Sequence, residues 1–231
     1  MYGYYYDPTY ILVILGFLLC FAAQIMVKSA FSKWSQVASR TGVTGADLAR
    51  RILDRNGCED VAIEHVRGSL TDHFDPERGV LRLSDDVYYS TSVAALGVAA
   101  HESGHAIQAA QDYAPLNIRS RLAPIASIGC NAAVPLFLLG MFLSFRPLLR
   151  IGIYAFALAV LFYLVTLPVE FNASGRAIAI LEEGGLPEDE LTGVKAVLRA
   201  AALTYVAAAL QALLQLLRLI LIANNSRRRR D

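Results

Sequence analysis

Four stretches of this chain run almost without charge, and a polar, strongly patterned segment separates the first from the other three. Tyr10 to Val27 carries no charged residue over about the length that crosses a bilayer. Leu122–Phe145, Ile151–Val169 and Val197–Ala223 are equally apolar, apart from Arg199 and Arg218 in the last. The pattern predicts transmembrane helices over 10–27, 122–145, 151–169 and 197–223. Around them lie an N-terminal tail (1–9), a water-facing module (28–121), a surface helical segment (170–196) and a basic tail (224–231). Ser144-Phe-Arg146-Pro147-Leu-Leu-Arg150 is a short polar turn, so the second and third spans form a hairpin. Pro124 and Pro135 are acceptable within a span because neighbouring helices accommodate them. The first span is not read as a cleaved leader, because it lacks a basic start and an A-x-A-like site.

Inside 28–121 the periodicity changes. Leu48, Ala49, Ile52 and Leu53 recur at helical spacing after Thr44-Gly-Ala-Asp47, and Asn56-Gly57 stops the helix. Val61–Val66 and Val80–Leu83 read as short strands, with turn-forming residues between them. Ser90, Thr91 or Ser92 then caps a helix running to about Gln111. The order is helix, two strands, helix. The two strands make either a plain hairpin or an edge to which an extended peptide adds by backbone hydrogen bonds. In the last span, Thr204, Gln211, Gln215 and Arg218 share one side, which is expected to face the bundle or a second subunit.

Composition agrees. With 55% hydrophobic residues and a mean hydropathy of +0.44, the chain is too apolar for an ordinary soluble domain of 231 residues. The net charge of +1, with no basic stripe interleaved with aromatics, points to no nucleic-acid partner. Cys20, Cys58 and Cys130 are too widely spaced for a disulfide framework or a thiolate metal site.

The chemistry concentrates in His101-Glu102-Ser103-Gly104-His105. On a helix, residues four apart stand one above the other, so both imidazoles share a face and can hold one Zn²⁺. Glu102 beside them is placed as the general base for an attacking water. Only Val93 to Ala100 is uninterrupted and apolar, far short of the roughly twenty residues a span requires. The site is therefore expected at the membrane surface.

Catalytic zinc commonly has three protein ligands. One crossing follows the N-terminus, and two more return the chain to the module's side at Glu170, which makes Glu170 the expected third ligand. Ser174, four residues on, is a candidate hydrogen-bond partner for a ligating imidazole. Asn172 and Arg176 are weaker candidates for contacting the substrate carbonyl oxygen. His73 is a candidate cleft residue, with a solvated turn residue as the plainer reading.

The stretches Leu70-Thr-Asp-His-Phe-Asp-Pro76, Val80-Leu-Arg-Leu-Ser84, Val98-Ala-Ala-His-Glu-Ser-Gly-His-Ala-Ile-Gln108, Leu167-Pro-Val-Glu-Phe-Asn-Ala-Ser174 and Leu186-Pro-Glu-Asp-Glu-Leu191 carry a resemblance, as does Ala-Ala-Leu-Thr-Tyr-Val206. Together they resemble the YugP-like neutral zinc metallopeptidases of bacteria. The resemblance implies a multi-pass inner-membrane protein with a gluzincin-like site, similar in layout to HtpX and CAAX-processing proteases. It implies His101, His105 and Glu170 as zinc ligands and Glu102 as general base. Ser174 departs from the wider gluzincin pattern, in which an Asp often orients the first His.

The expectation is thus a mainly α, multi-pass helical membrane protein with a small α+β zincin-like catalytic module. Its function is expected to be that of a zinc metalloendopeptidase acting on peptide or protein substrates. Two rivals stand beside it: a non-catalytic membrane scaffold with a structural zinc, and an intramembrane site-2-type protease. For orientation, Asp7 before the first span and Lys28 and Lys33 after it favour a cytoplasmic module. Arg146, Arg150 and Arg227 to Arg230 argue the reverse, and the first span is taken to dominate.

Overall fold

A computed structural model describes residues 7–228. Met1–Tyr6 of the N-terminal tail, and Arg229, Arg230 and Asp231 of the basic tail, lie outside the described residues. The chain order is α1 (Tyr10–Ser35), α2 (Gly45–Arg55), β1 (Ala62–Val66), β2 (His73–Asp75), β3 (Val80–Ser84), α3 (Asp85–Tyr88), α4 (Val93–Ala110), α5 (Ala114–Phe142), α6 (Arg146–Glu183) and α7 (Glu188–Arg228). Among the described residues four helices, α1, α5, α6 and α7, are long and apolar enough to cross a membrane. α4, which bears the His-Glu motif, is not one of them.

The helices outrun the apolar runs. α1 continues past Val27 to Ser35, and α6 carries on through the polar residues after Val169 as far as Glu183. Arrival of polar residues changes what a helix faces without breaking its backbone hydrogen bonds; termination needs a glycine, a proline or a cap. α6 stops at Gly184-Gly185, where Gly185 takes the left-handed conformation (φ +79°) that glycine adopts without steric penalty. Glu188, Asp189 and Glu190 then fill the first turn of α7, where negative charge complements the helix dipole.

The residues divide into two compact units. Among the described residues, one comprises 7–23, 118–167 and 204–228. In it α5 and α6 pack through glycines: a Cβ on Gly129 would lie 2.8 Å from the Ala155 carbonyl oxygen, and one on Gly152 would lie 2.8 Å from that of Ala133. Small residues let helix backbones approach closely where lipid removes the hydrophobic drive for association. The polar side of α7 is partly used within the chain. Gln211 Oε1 accepts from the Cys20 thiol, while Arg218 pairs with Asp7 at 3.7 Å and lies over the Tyr10 ring. The outer side of α1 exposes Ile11, Ile14, Phe17, Leu18 and Phe21, as expected for a surface that meets lipid.

The other unit comprises residues 24–117 and 168–203. Its core joins Leu53 of α2, Leu81 and Leu83 of β3, Leu96, Ala99, Ala100 and Ile107 of α4, Ala177 and Leu181 of α6, and Leu191 and Val194 of α7. Thr44 caps α2 by accepting from the Asp47 N–H, and Ser92 caps α4 by accepting from Ala95. The sheet order is β1-β3-β2, with β1 parallel and β2 antiparallel to β3. The two strands legible in the sequence are therefore parallel, not a hairpin. Their connection holds β2, a third strand that its three residues did not announce. Arg82 reaches Glu64 on one side and Asp75 on the other, so one charge row crosses all three strands on the polar face.

Candidate metal centre and its surroundings

Two helices of the second unit supply the site. α4 presents His101 and His105 with ring centroids 4.8 Å apart and planes at 85°. α6 presents Glu170, whose side chain is 2% exposed. Glu170 Oε2 lies 3.4 Å from His101 Nε2 and 3.6 Å from His105 Nε2. These spacings exceed those of N–H···O hydrogen bonds, about 2.7–3.2 Å. They suit a shared ion instead, since a tetrahedron with arms of about 2.1 Å has edges of about 3.4 Å. One donor atom from each residue can be chosen with all three within 4.8 Å of one another. Two imidazoles and one carboxylate are a donor set that zinc takes.

Close approach of the two helices is written into the motif. A Cβ on Gly104 would stand 2.9 Å from the Ala173 carbonyl oxygen, a backbone atom that moves only with α6 itself. Glycine between the ligands thus lets α6 bring Glu170 within reach. Gly104→Ala is expected to destabilise the protein by about 1–3 kcal/mol through overpacking. Helix propensity alone would favour alanine by roughly 1 kcal/mol, so the sign of the change separates the two effects. Thermal or denaturant unfolding in detergent measures it.

The outer contacts of the two rings differ. Ser174 Oγ lies 3.1 Å from His101 Nδ1, the pairing expected from its place one turn beyond Glu170. His105 Nδ1 meets Gln108 Oε1 at 3.0 Å. Gln108 was not singled out from the sequence; the available signal was a polar residue one turn after the second His on an otherwise apolar face. Asn172 and Arg176 lie in the same network: Arg176 donates to Asn172 Oδ1 (2.8 Å) and to Gln111 Oε1 (2.7 Å).

His73 stands opposite Arg82 in the antiparallel ladder, so its side chain shares the polar face of the sheet. Its Nδ1 meets the Thr71 carbonyl and its Nε2 lies near Arg82. His73 is thus an exposed residue of β2, held by the Thr71 carbonyl and beside Arg82. Its neighbour Asp72 is the unforeseen residue here. Burial pushes the Asp72 carboxyl above the usual carboxylate range. The Ser84 N–H (2.7 Å) and hydroxyl (2.9 Å) pull against that, and the negative charge of Glu102 adds to it. Glu102 itself is half-buried beside His101. Burial disfavours a proton on His105, but Glu170, Glu102 and Gln108 outweigh it and raise its pKa above the ordinary value.

Comparison with known proteins places the chain in a family. Residues 9–224 match the family model described as "putative neutral zinc metallopeptidase". The "putative membrane protease YugP" of Bacillus subtilis (strain 168) is 52% identical over 210 residues, covering 90% of this chain and 93% of that protein. No solved structure matches. With a model spanning nearly its whole length and a relative identical at about half of the aligned positions, the chain belongs to the family of putative neutral zinc metallopeptidases.

Proposed function

We propose that the protein is a membrane-bound zinc metalloendopeptidase, with His101, His105 and Glu170 holding the ion and Glu102 as general base. The observation that carries this is the 3.4 and 3.6 Å separation of Glu170 Oε2 from the two imidazole nitrogens, close to the edge of a zinc-sized tetrahedron, with Glu102 outside that trio on the residue after the first imidazole. Zinc bound there would supply Lewis acidity for the scissile carbonyl and lower the pKa of water. Glu102 accepts the proton of the attacking water and passes it to the leaving amine. β2 is an outer strand of the sheet and packs on α4, so an extended peptide pairing with its free edge would run beside the motif.

A scaffold with a structural zinc has no use for Glu102. A site-2-type protease would carry its motif in a spanning helix, and α4 is not among the four candidates. The proposed location is the bacterial inner membrane with the module on the cytoplasmic side; a reporter fused to the C-terminus tests the orientation. For the activity, the full chain in detergent is tested for bound zinc and for cleavage of an unfolded protein, before and after chelation. One zinc per chain with chelator-sensitive, zinc-restored cleavage is expected. Zinc without turnover would favour the scaffold.

The raised pKa of His105 gives a pH signature. Raised means that the ring holds its proton at a pH where an ordinary histidine, with a pKa of about 6.5, has lost it. Zinc must displace that proton. Uptake near neutral pH is therefore expected to release protons, and apparent affinity to climb as pH rises. Calorimetry in two buffers of different ionisation enthalpy measures the release.

A further inference from the structure

We infer that Gln108 is a positioning residue that fixes which nitrogen of His105 faces the ligand trio, through a one-way hydrogen-bond chain anchored on α6; this rests on the zinc reading above. Gln108 is fully buried. Its Nε2 donates to the Val169 carbonyl (2.9 Å) and to Asn172 Oδ1 (2.8 Å), and its Oε1 faces His105 Nδ1.

The direction of this chain is set at both ends. A backbone carbonyl only accepts, so the amide end facing Val169 is the NH₂ group. Asn172 Oδ1 also accepts from Arg176 Nε (2.8 Å), and an arginine only donates, so that atom is oxygen. Turning the Gln108 amide over would set its oxygen against two other oxygens. Oε1 must therefore face the ring, and because an amide oxygen only accepts, His105 must carry its proton on Nδ1. In the neutral ring the lone pair is then left on Nε2, the atom 3.6 Å from Glu170 Oε2.

His101 is held differently, because the Ser174 hydroxyl can donate or accept and selects no tautomer. The Gln108 chain also ends on Val169 and Asn172, which flank Glu170 in sequence. One side chain thus orients the second imidazole and ties it to the helix segment that brings the carboxylate.

The test uses the full-length protein in detergent with ¹⁵N-labelled histidine. The chain has four histidines, assigned by comparison with the His65→Gln, His73→Gln and His101→Gln proteins. Long-range ¹H–¹⁵N spectra, zinc-loaded and also metal-free across an alkaline pH series carried until the His105 signals stop moving, should show the neutral His105 ring protonated at Nδ1 and bare at Nε2. Gln108→Met, similar in length but without the amide, should lose that preference and bind zinc about 10–100-fold more weakly in chelator competition. A purely structural role would lower the melting temperature without moving the tautomer. A wild-type spectrum with the proton on Nε2 overturns the inference, whether or not the variant folds, and so does unchanged zinc affinity in a folded Gln108→Met protein. Wild-type protein that takes up no zinc overturns the zinc reading instead, and the metal-free spectrum still decides the tautomer.

Discussion

Glu102→Gln is expected to keep zinc bound at wild-type affinity while turnover falls about 10²–10⁴-fold, the range that a positioned general base contributes. The substitution preserves shape and removes only the ability to accept a proton. Glu102 is not in the ligand trio, so the metal should not register its loss. The two effects separate cleanly: metal content and melting temperature stay, cleavage of an unfolded protein goes. Asp72 tells against simple replacement of the base by a neighbour, because its burial, which does not depend on a charge at position 102, favours the protonated form. Unchanged turnover in the variant would remove Glu102 from the mechanism.

Glu170→Ala should act on binding before chemistry. Losing an outer hydrogen-bond partner of a ligand weakens metal binding by about 10–100-fold, which is the expectation for Ser174→Ala. Losing a ligand itself should exceed that. A ligand at a hundred times its Kd stabilises the native state by about 2.7 kcal/mol. Zinc should therefore raise the melting temperature of the wild type and of Ser174→Ala, and leave Glu170→Ala unmoved. Wild-type zinc affinity in Glu170→Ala would mean that His101 and His105 find their third partner elsewhere.

Much of this site was legible along the chain because its two halves are local. A spacing of four residues places two histidines on one helix face whatever else the protein does, and a Glu beside the first follows at once. Ser174 was readable by the same rule, one helical turn beyond Glu170. The four apolar runs were equally plain, since length and absence of charge are properties of the sequence itself. Their ends were less so: α1 and α6 continue well past the last apolar residue.

What lay beyond the sequence was contact between segments far apart in it. β2 is three residues long, too short for alternation to show, and exists because β3 offers it an antiparallel partner. His73 faces Arg82 because of that register, which no local pattern announces. Gln108 reads as one more polar residue near the end of the motif helix until α6 supplies Val169 and Asn172 to it.

The sequence by itself determined the four apolar helices, the pairing of His101 with His105, and the acid beside them, because these depend on composition and on the pitch of one helix. Only the tertiary structure decided that Gly104 lets α6 lie against α4, how near Glu170 comes to each imidazole, and that Gln108 addresses the second of them. Those outcomes depend on distances across residues some sixty to seventy positions apart, which packing sets and local periodicity does not encode.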